Sequence, residues 1–164
     1  MAAKIPTRPP KLHTSSTPRI AIVASEYHPE MLQALVNNTC KELYHIDENC
    51  KVELFGTPGA FEIPVVAEMV ASQRRHDVII ALGLIIQGKT RHADLIGDSV
   101  THALQQIALK HVIPVIHEVL LVSNEQDARV RCMEEKHNRG IEAARAAFRM
   151  LRVRAQLRGK PSPR

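Results

Sequence analysis

The chain of 164 residues has no tryptophan, and its aromatic side chains are limited to two tyrosines and three phenylalanines. Proteins that bind RNA or DNA usually combine basic residues with aromatic residues on which the bases stack. Here the net charge is +5, much of the excess lies near the two ends of the chain, and no aromatic residues interleave with it. Nucleic-acid binding is therefore disfavoured, and an aromatic residue in a loop becomes more informative.

Cysteines and long apolar runs are also scarce. Cys40, Cys50 and Cys132 are odd in number and lack the spacing of a metal site, which favours reduced thiols in the cytoplasm. No secretory hydrophobic segment is present, and no apolar run is long enough to span a membrane. We therefore expect a cytoplasmic protein with no metal site and no membrane contact.

An apolar content of 45% and the length of the chain predict one globular domain with a single sizeable core. Residues 1–18 are rich in proline, serine and threonine and have little to bury, so we expect a flexible N-terminal arm. The domain is expected to cover residues 19–157, and residues 158–164 form a basic C-terminal tail.

Hydrophobic periodicity predicts four strands that alternate with helices. The strands are expected at residues 19–24, 51–55, 77–86 and 114–122, and the helices at 29–43, 61–72, 94–110, 125–133 and 138–157. Such alternation predicts a three-layer αβα sandwich, in which helices cover both faces of a four-stranded parallel sheet. Ligands of these sheets bind beyond the carboxyl ends of the strands.

Unusual residues occur in the first two loops at those ends. Tyr27 follows the first strand, where it is as well suited to stacking on a flat ligand as to packing on the sheet. Residues 57–64 form a rigid turn that enters a helix, and Gly59 is expected there at positive φ. The free N–H groups of Ala60 and Phe61 suit the polar atoms of a heterocycle, although an ordinary helix start explains the segment equally well.

The loop after the third strand places His92 in the first turn of a helix, where the imidazolium is disfavoured and a neutral ring could accept a proton. A lone histidine there is more often structural or solvated, but Lys89 and Thr90 form an anion-binding turn beside it. Arg131 is expected to be solvated unless it folds over the strand ends and binds phosphate. His117 lies inside the fourth strand, where a buried core histidine is the ordinary interpretation.

The same loop matches the phosphate-binding pattern G-x-x-x-x-G-K-[ST] of nucleotide triphosphatases from Gly83 to Thr90. Residues 84–86 are aliphatic, however, and indicate the end of a buried strand rather than a loop around an anion. No later strand ends in an aspartate that could hold magnesium. A phosphate-loop nucleotidase is therefore a minor alternative.

Three segments together resemble the 6,7-dimethyl-8-ribityllumazine synthase family of riboflavin biosynthesis. They are Thr-Pro-Gly-Ala-Phe-Glu-Ile-Pro at 57–64, Gly-Leu-Ile-Ile-Gln-Gly-Lys-Thr-Arg-His at 83–92, and the span from Arg131 to Asn-Arg-Gly at 138–140. The resemblance implies a flavodoxin-like fold and a transferase that needs no metal or cofactor. The implied reaction condenses 5-amino-6-(D-ribitylamino)uracil with 3,4-dihydroxy-2-butanone 4-phosphate and yields the lumazine, phosphate and water.

The resemblance also implies a role for each candidate residue. His92 and Arg131 would be catalytic, the first as general acid and base and the second as the arginine that binds phosphate beside Lys89 and Thr90. Tyr27 would stack on the pyrimidine. Further contacts to the ring and the ribityl chain would come from Ala60, Phe61, Glu62, Leu84, Ile85 and Ile86. His117 matches a position that a neighbouring subunit contributes to the site.

The chain departs from the family pattern at several positions. The family often has Asn at the position of His28 and usually a small residue at that of Lys89. It usually has an aromatic residue at the position of Ala93, and Phe is common at that of His117. Residues 133–137 replace a small glycine-containing turn, and we expect them to continue a solvated helix end. Family members are pentamers, and some assemble further into decamers or capsids. Because residues 133–137 differ from the family's turn, we expect a pentamer or a decamer here and no capsid. The pocket differences leave open a homologue that binds flavin or lumazine without catalysis.

Overall fold

The computed structural model describes residues 6–11 and 17–158. Within these residues, the four strands are β1 (Arg19–Ser25), β2 (Lys51–Thr57), β3 (Val78–Ile86) and β4 (Val115–Val122). The α-helices there are α1 (Pro29–Ile46), α2 (Ile63–Ser72), α3 (His92–His111), α4 (Glu125–Cys132) and α5 (Arg139–Arg158). Every predicted strand and helix is confirmed, with small shifts at the ends.

The strands form one parallel sheet in the order β2-β1-β3-β4. The central strand β3 is buried along almost its whole length, which explains why it is apolar on both faces. Helices α1, α4 and α5 cover one face of the sheet, and α2 and α3 cover the other. The predicted three-layer αβα sandwich with a flavodoxin-like architecture is therefore confirmed.

Hydrogen bonds between neighbouring strand ends hold the loops that carry the candidate residues. The N–H of Glu26, just after β1, donates to the carbonyl of Thr57 at 2.7 Å. The N–H of Gln87, just after β3, donates to the carbonyl of Val122 at 2.8 Å. The loops after adjacent parallel strands therefore begin at fixed positions along one edge of the sheet.

The connection between α4 and α5 differs from the prediction. Residues 133–137 were expected to continue α4, but that helix ends at Cys132 and Glu135–His137 form a separate 3₁₀ turn. The buried side chain of Asn138 explains the break, because its Nδ2 donates to the carbonyl of Cys132 at 2.8 Å. Its Oδ1 accepts from two backbone N–H groups in the first turn of α5, so one side chain ends α4 and caps α5.

Two expected features fall partly outside this description. Residues 1–5 and 12–16 of the expected arm lie outside the described residues, as does the expected basic tail beyond Arg158. Among the helices that are described, none combines the length and the apolar character needed to cross a bilayer.

Helices α1 and α5 pack closely at Gly140. A Cβ atom at this position would lie 2.5 Å from the carbonyl oxygen of Leu35 and 2.6 Å from Oγ1 of Thr39. Both atoms are held, because the Thr39 hydroxyl donates to the Leu35 carbonyl at 2.8 Å. Gly140 is therefore required by the space between the helices.

We predict that Gly140→Ala lowers the free energy of unfolding by about 2–3 kcal/mol, because the methyl group forces two packed helices apart. Denaturant unfolding followed by circular dichroism measures this change. Gly97→Ala in α3 is the matched control, since its Cβ would meet only Leu121 Cδ2 at an ordinary 3.6 Å. It should leave stability unchanged or raise it by up to about 1 kcal/mol. Equal effects of the two substitutions would contradict the prediction.

Candidate active site

A cavity of about 710 Å³ lies at the carboxyl ends of the strands. This volume is typical of small-molecule binding sites. Its walls are formed by the loops after β1, β2 and β3 and by the first turns of α3. The structure brings nine of the predicted site residues together here: Tyr27, Ala60, Phe61, Glu62, Leu84, Ile85, Ile86, Thr90 and His92.

Tyr27 lies at the mouth of the cavity, and 65% of its surface is exposed. The ring of His28 packs against it edge to face, with centroids 4.7 Å apart and planes at 72°. His28 adopts the left-handed conformation with φ 61°, directly before Pro29 starts α1. Histidine is among the few residues other than glycine that are enriched in this conformation. The turn therefore holds the His28 ring against Tyr27, and most of the Tyr27 surface remains accessible to a flat ligand.

The turn after β2 differs from the prediction at Gly59. This residue is extended, with φ −148° and ψ 179°, so the expected positive φ is wrong. The Thr57 hydroxyl donates to the Gly59 carbonyl at 2.9 Å and holds the turn in this form. A Cβ at Gly59 would lie 3.0 Å from Oε2 of Glu62. Glycine therefore leaves room for the Glu62 carboxylate, just before the 3₁₀ turn Ala60–Glu62 whose first N–H groups lack helical partners.

The loop between β3 and α3 is tied at both ends. The side-chain Nε2 of Gln87 donates to Oδ1 of Asp94 at 3.3 Å. His92 is the first residue of the 20-residue helix α3, and its N–H donates to Oγ1 of Thr90 at 3.4 Å. The positive end of the α3 dipole therefore lies at the cavity wall, where it favours an anionic group.

The phosphate-loop alternative is wrong in this structure. Gly83, the first glycine of the pattern, lies inside β3 in register with Val119 of β4. A Cβ at Gly83 would lie 3.0 Å from side-chain atoms of both Ile63 and Val119. This glycine allows close packing between the sheet and α2, and it takes no part in a loop around an anion.

Three predicted residues do not line this cavity. Lys89 is exposed in the loop that carries Thr90, whereas His117 and Arg131 line a second cavity of about 300 Å³ along β4. His117 is exposed, and its Nε2 lies 2.9 Å from Oγ1 of Thr101, so it is not a buried core histidine. Within one chain, the His92 and Arg131 parts of the predicted site are therefore separate.

The second cavity contains a buried carboxyl group. Glu118 is 8% exposed and accepts a hydrogen bond from Nε of Arg139 at 3.1 Å. Burial raises the pKa of Glu118 to about 7, against the opposing effect of the Arg139 charge. This residue was not assigned from the sequence, although an acidic residue inside an apolar strand was an available signal.

Six further residues of the first cavity were not assigned to the site from the sequence. Leu95 and Ile96 follow His92 by three and four residues, so helical periodicity could have placed them on the same face. The left-handed preference of His28 before Pro29 was a weaker signal. The complete set of these residues is His28, Gly59, Gly88, Ala93, Leu95 and Ile96.

The arrangement suits a flat organic ligand that carries an anionic group. Two exposed aromatic rings, Tyr27 and Phe61, stand beside an aliphatic wall at residues 84–86 and the N-terminus of α3. An imidazole at that terminus can move a proton to or from a bound ligand. Across the described ranges, no group of three or more His, Cys, Asp or Glu side chains is arranged to hold a metal ion.

Comparison with known proteins agrees with this geometry. Residues 17–155 match the family described as 6,7-dimethyl-8-ribityllumazine synthase. A protein of that name from Chlorobium phaeobacteroides is 37% identical over 139 residues, which cover 84% of this chain and 90% of the relative. Its counterpart from Leuconostoc mesenteroides is 31% identical over 150 residues, 90% of this chain and 96% of the relative. A third, from Coxiella burnetii, is 30% identical over 145 residues, 88% and 96% respectively.

We predict that Glu118 makes stability depend on pH. Its folded pKa of about 7 lies above the ordinary value of 4.5, so the fold favours the neutral form. The stabilisation that the fold gains from the neutral Glu118 carboxyl group is complete below about pH 4.5 and is lost as the pH rises through about 7. Between those limits, wild type should lose on the order of 2 kcal/mol of unfolding free energy relative to Glu118→Gln.

Denaturant unfolding at a series of pH values measures this difference. The exposed Glu134→Gln is the control and should follow the wild-type pH profile. The prediction is wrong if wild type and Glu118→Gln lose stability in parallel.

Proposed function

Because the chain belongs to the 6,7-dimethyl-8-ribityllumazine synthase family, we propose that it is the transferase that condenses 5-amino-6-(D-ribitylamino)uracil with 3,4-dihydroxy-2-butanone 4-phosphate. The products are 6,7-dimethyl-8-ribityllumazine, phosphate and water, as in riboflavin biosynthesis. The observation that carries the proposal is the cavity in which the aromatic, backbone and histidine groups converge.

The pyrimidine is bound by the first two loops in this proposal. The accessible ring of Tyr27 stacks on it, and the aliphatic wall at residues 84–86 lies along its edge. The N–H groups at the start of the 3₁₀ turn donate to the carbonyls and ring nitrogens of the uracil. The carboxylate of Glu62, beside Gly59, accepts hydrogen bonds from the ribityl hydroxyls.

The second substrate places its phosphate at the N-terminus of α3, beside Thr90 and Lys89. The amine of the uracil attacks the ketone, and a Schiff base forms with loss of one water. Phosphate then leaves, and the ring closes with loss of a second water. Each step transfers a proton, and His92 is positioned at the cavity wall to donate and accept it. Holding both substrates in one cavity makes the reaction effectively unimolecular, which is a large part of the rate enhancement.

The site is completed by a second copy of the chain. His117 and Arg131 share a cavity along β4, which is an edge strand of the sheet. Neither residue lines the cavity that contains His92. A neighbouring chain packed against this strand can receive both side chains at the mouth of its own cavity. Arg131 then supplies a guanidinium that binds the substrate phosphate in bidentate fashion.

The assembly in this proposal is a homopentamer, or a decamer made from two pentamers, that acts in the cytoplasm. Residues 134–136, in the segment that connects α4 to α5, are charged and exposed. The family resemblance implies that this segment decides capsid formation, and packing its charges against another pentamer would remove them from water at a cost in free energy. Light scattering or analytical ultracentrifugation of the purified protein measures the size, and a capsid-sized particle would contradict this proposal.

We predict that His92→Ala lowers kcat for lumazine formation at least about a hundredfold, while KM for both substrates changes little. Purified protein is incubated with both substrates, and the lumazine chromophore and released phosphate are measured. His45→Ala, an exposed histidine near the end of α1, is the control and should retain wild-type rates. Wild-type protein that binds lumazine without exceeding the spontaneous rate would instead identify a binding homologue without catalysis.

We predict that Arg131→Ala raises KM for the butanone phosphate roughly ten- to hundredfold, because a charge-assisted contact to phosphate is lost. Binding of the ribitylaminouracil should hardly change, since its contacts lie at Tyr27 and the turn after β2. Arg129→Ala removes an arginine from the same helix that pairs with Glu30 and Glu125, and should leave both constants near wild type. If Arg131→Ala instead weakens binding of the ribitylaminouracil and leaves KM for the butanone phosphate unchanged, our assignment of the two half-sites is wrong.

A further inference from the structure

A separate binding surface lies on helices α1 and α5, where residues 6–11 of the chain are seated. Three arginines of α5, at positions 145, 149 and 152, donate hydrogen bonds to backbone carbonyls of this segment. Their spacing of four and three residues places them on one face of the helix. The accepting carbonyls belong to Pro6, Thr7, Pro10 and, at a longer distance from Arg152, Lys11.

Side chains of the segment are bound as well as its backbone. Arg8 donates from Nε and a terminal nitrogen to the two carboxylate oxygens of Glu42, at 2.7 and 2.8 Å. Glu42 is only 4% exposed and also accepts from Nε of Arg145 at 2.7 Å. Lys11 pairs with the buried Asp47 at 3.2 Å. The segment is therefore recognised through two charged side chains that meet buried carboxylates.

The charge of Glu42 depends on these partners. Burial alone would raise its pKa, but hydrogen bonds from Arg8 and Arg145 outweigh burial, and the pKa is lowered. One of the two cations comes from α5 and the other from the bound segment. The face of α1 and α5 thus includes an acidic position that is fully paired only when the segment is present.

The composition of the segment complements this face. Pro6, Pro9 and Pro10 have no backbone N–H, so the segment presents carbonyl acceptors with few donors that need partners. The arginines of α5 supply donors only, which matches that chemistry. Pro9 is buried in the contact. Extended proline-rich segments also lose little conformational entropy when they bind, which favours recognition of this kind.

We propose that Glu42, Asp47, Arg145, Arg149 and Arg152 form a peptide-binding site, the arm site, whose ligand is the proline-rich segment 6–11 of the same chain. Binding ties the start of the chain to both α1 and α5 and adds to the packing of the two helices at Gly140. The arm site shares no residue with the cavity at the strand ends. It therefore acts on the stability and accessibility of the N-terminal segment and leaves the chemistry of that cavity unchanged.

Limited digestion of the full-length protein with trypsin tests the arm site. Trypsin cleaves after Lys11, and cleavage of a bound segment follows the fraction of molecules in which it is released. Arg8→Ala removes both hydrogen bonds to Glu42 and should raise the cleavage rate after Lys11 roughly tenfold. The double variant Arg149→Ala/Arg152→Ala removes two of the three α5 arginines that donate to the segment and should also raise the cleavage rate several-fold. Mass spectrometry at short digestion times follows this one bond.

Arg158→Ala is the matched control, because it removes an exposed arginine from the last turn of the same helix. It should leave the cleavage rate after Lys11 at the wild-type value. The arm site is refuted if wild type is cleaved as fast as Arg8→Ala, or if Arg158→Ala accelerates cleavage as much as the double variant. Lumazine formation, measured on the same samples, should be unchanged in all of them, so failure of the proposed enzymatic activity would be recognised separately.

Discussion

The parallel pairing of β3 with both β1 and β4 is the constraint on which the rest of the molecule depends. It requires a strand that is apolar on both faces and a residue without a side chain at Gly83, where Ile63 and Val119 pack against the sheet. Because neighbouring parallel strands end at the same edge, loops that are distant in sequence meet there. Tyr27, Phe61 and His92 reach one cavity for this reason, although each follows a different strand.

Most of the fold could be predicted from the sequence, because apolar patterning is a local property and most strands and helices here show it. The errors in local conformation occur where a side-chain hydrogen bond, rather than apolar patterning, decides the backbone. The end of α4 depends on the hydrogen bond from Asn138 to the Cys132 carbonyl, and the extended Gly59 is held by the Thr57 hydroxyl. The separation of Arg131 from His92 also depends on tertiary structure, since no spacing in the sequence indicates which cavity a side chain lines.

Two buried carboxyl groups show how neighbouring charges decide whether the pKa of a buried acid is raised or lowered. For Glu118, burial is the larger effect and raises the pKa to about 7, although Arg139 lies 3.1 Å away. For Glu42, burial acts in the same direction, but two arginines outweigh it and the pKa is lowered. At Glu118 the negative charge of Glu142 adds to the effect of burial, and Arg139 and Arg131 together do not outweigh the two. The second arginine at Glu42 comes from the N-terminal segment. The ionisation of Glu42 on α1 is therefore linked to binding of that segment.

A catalytic site shared between two chains is tested most directly by mixing two variants that are each inactive. Chains with His92→Ala are coexpressed with chains with Arg131→Ala, and lumazine formation is measured under conditions in which neither variant alone is active. Sites that combine His92 of one chain with Arg131 of its neighbour are intact, so the mixture should recover about a quarter of the wild-type activity. Activity no greater than the sum of the separate variants would contradict a site built from two chains.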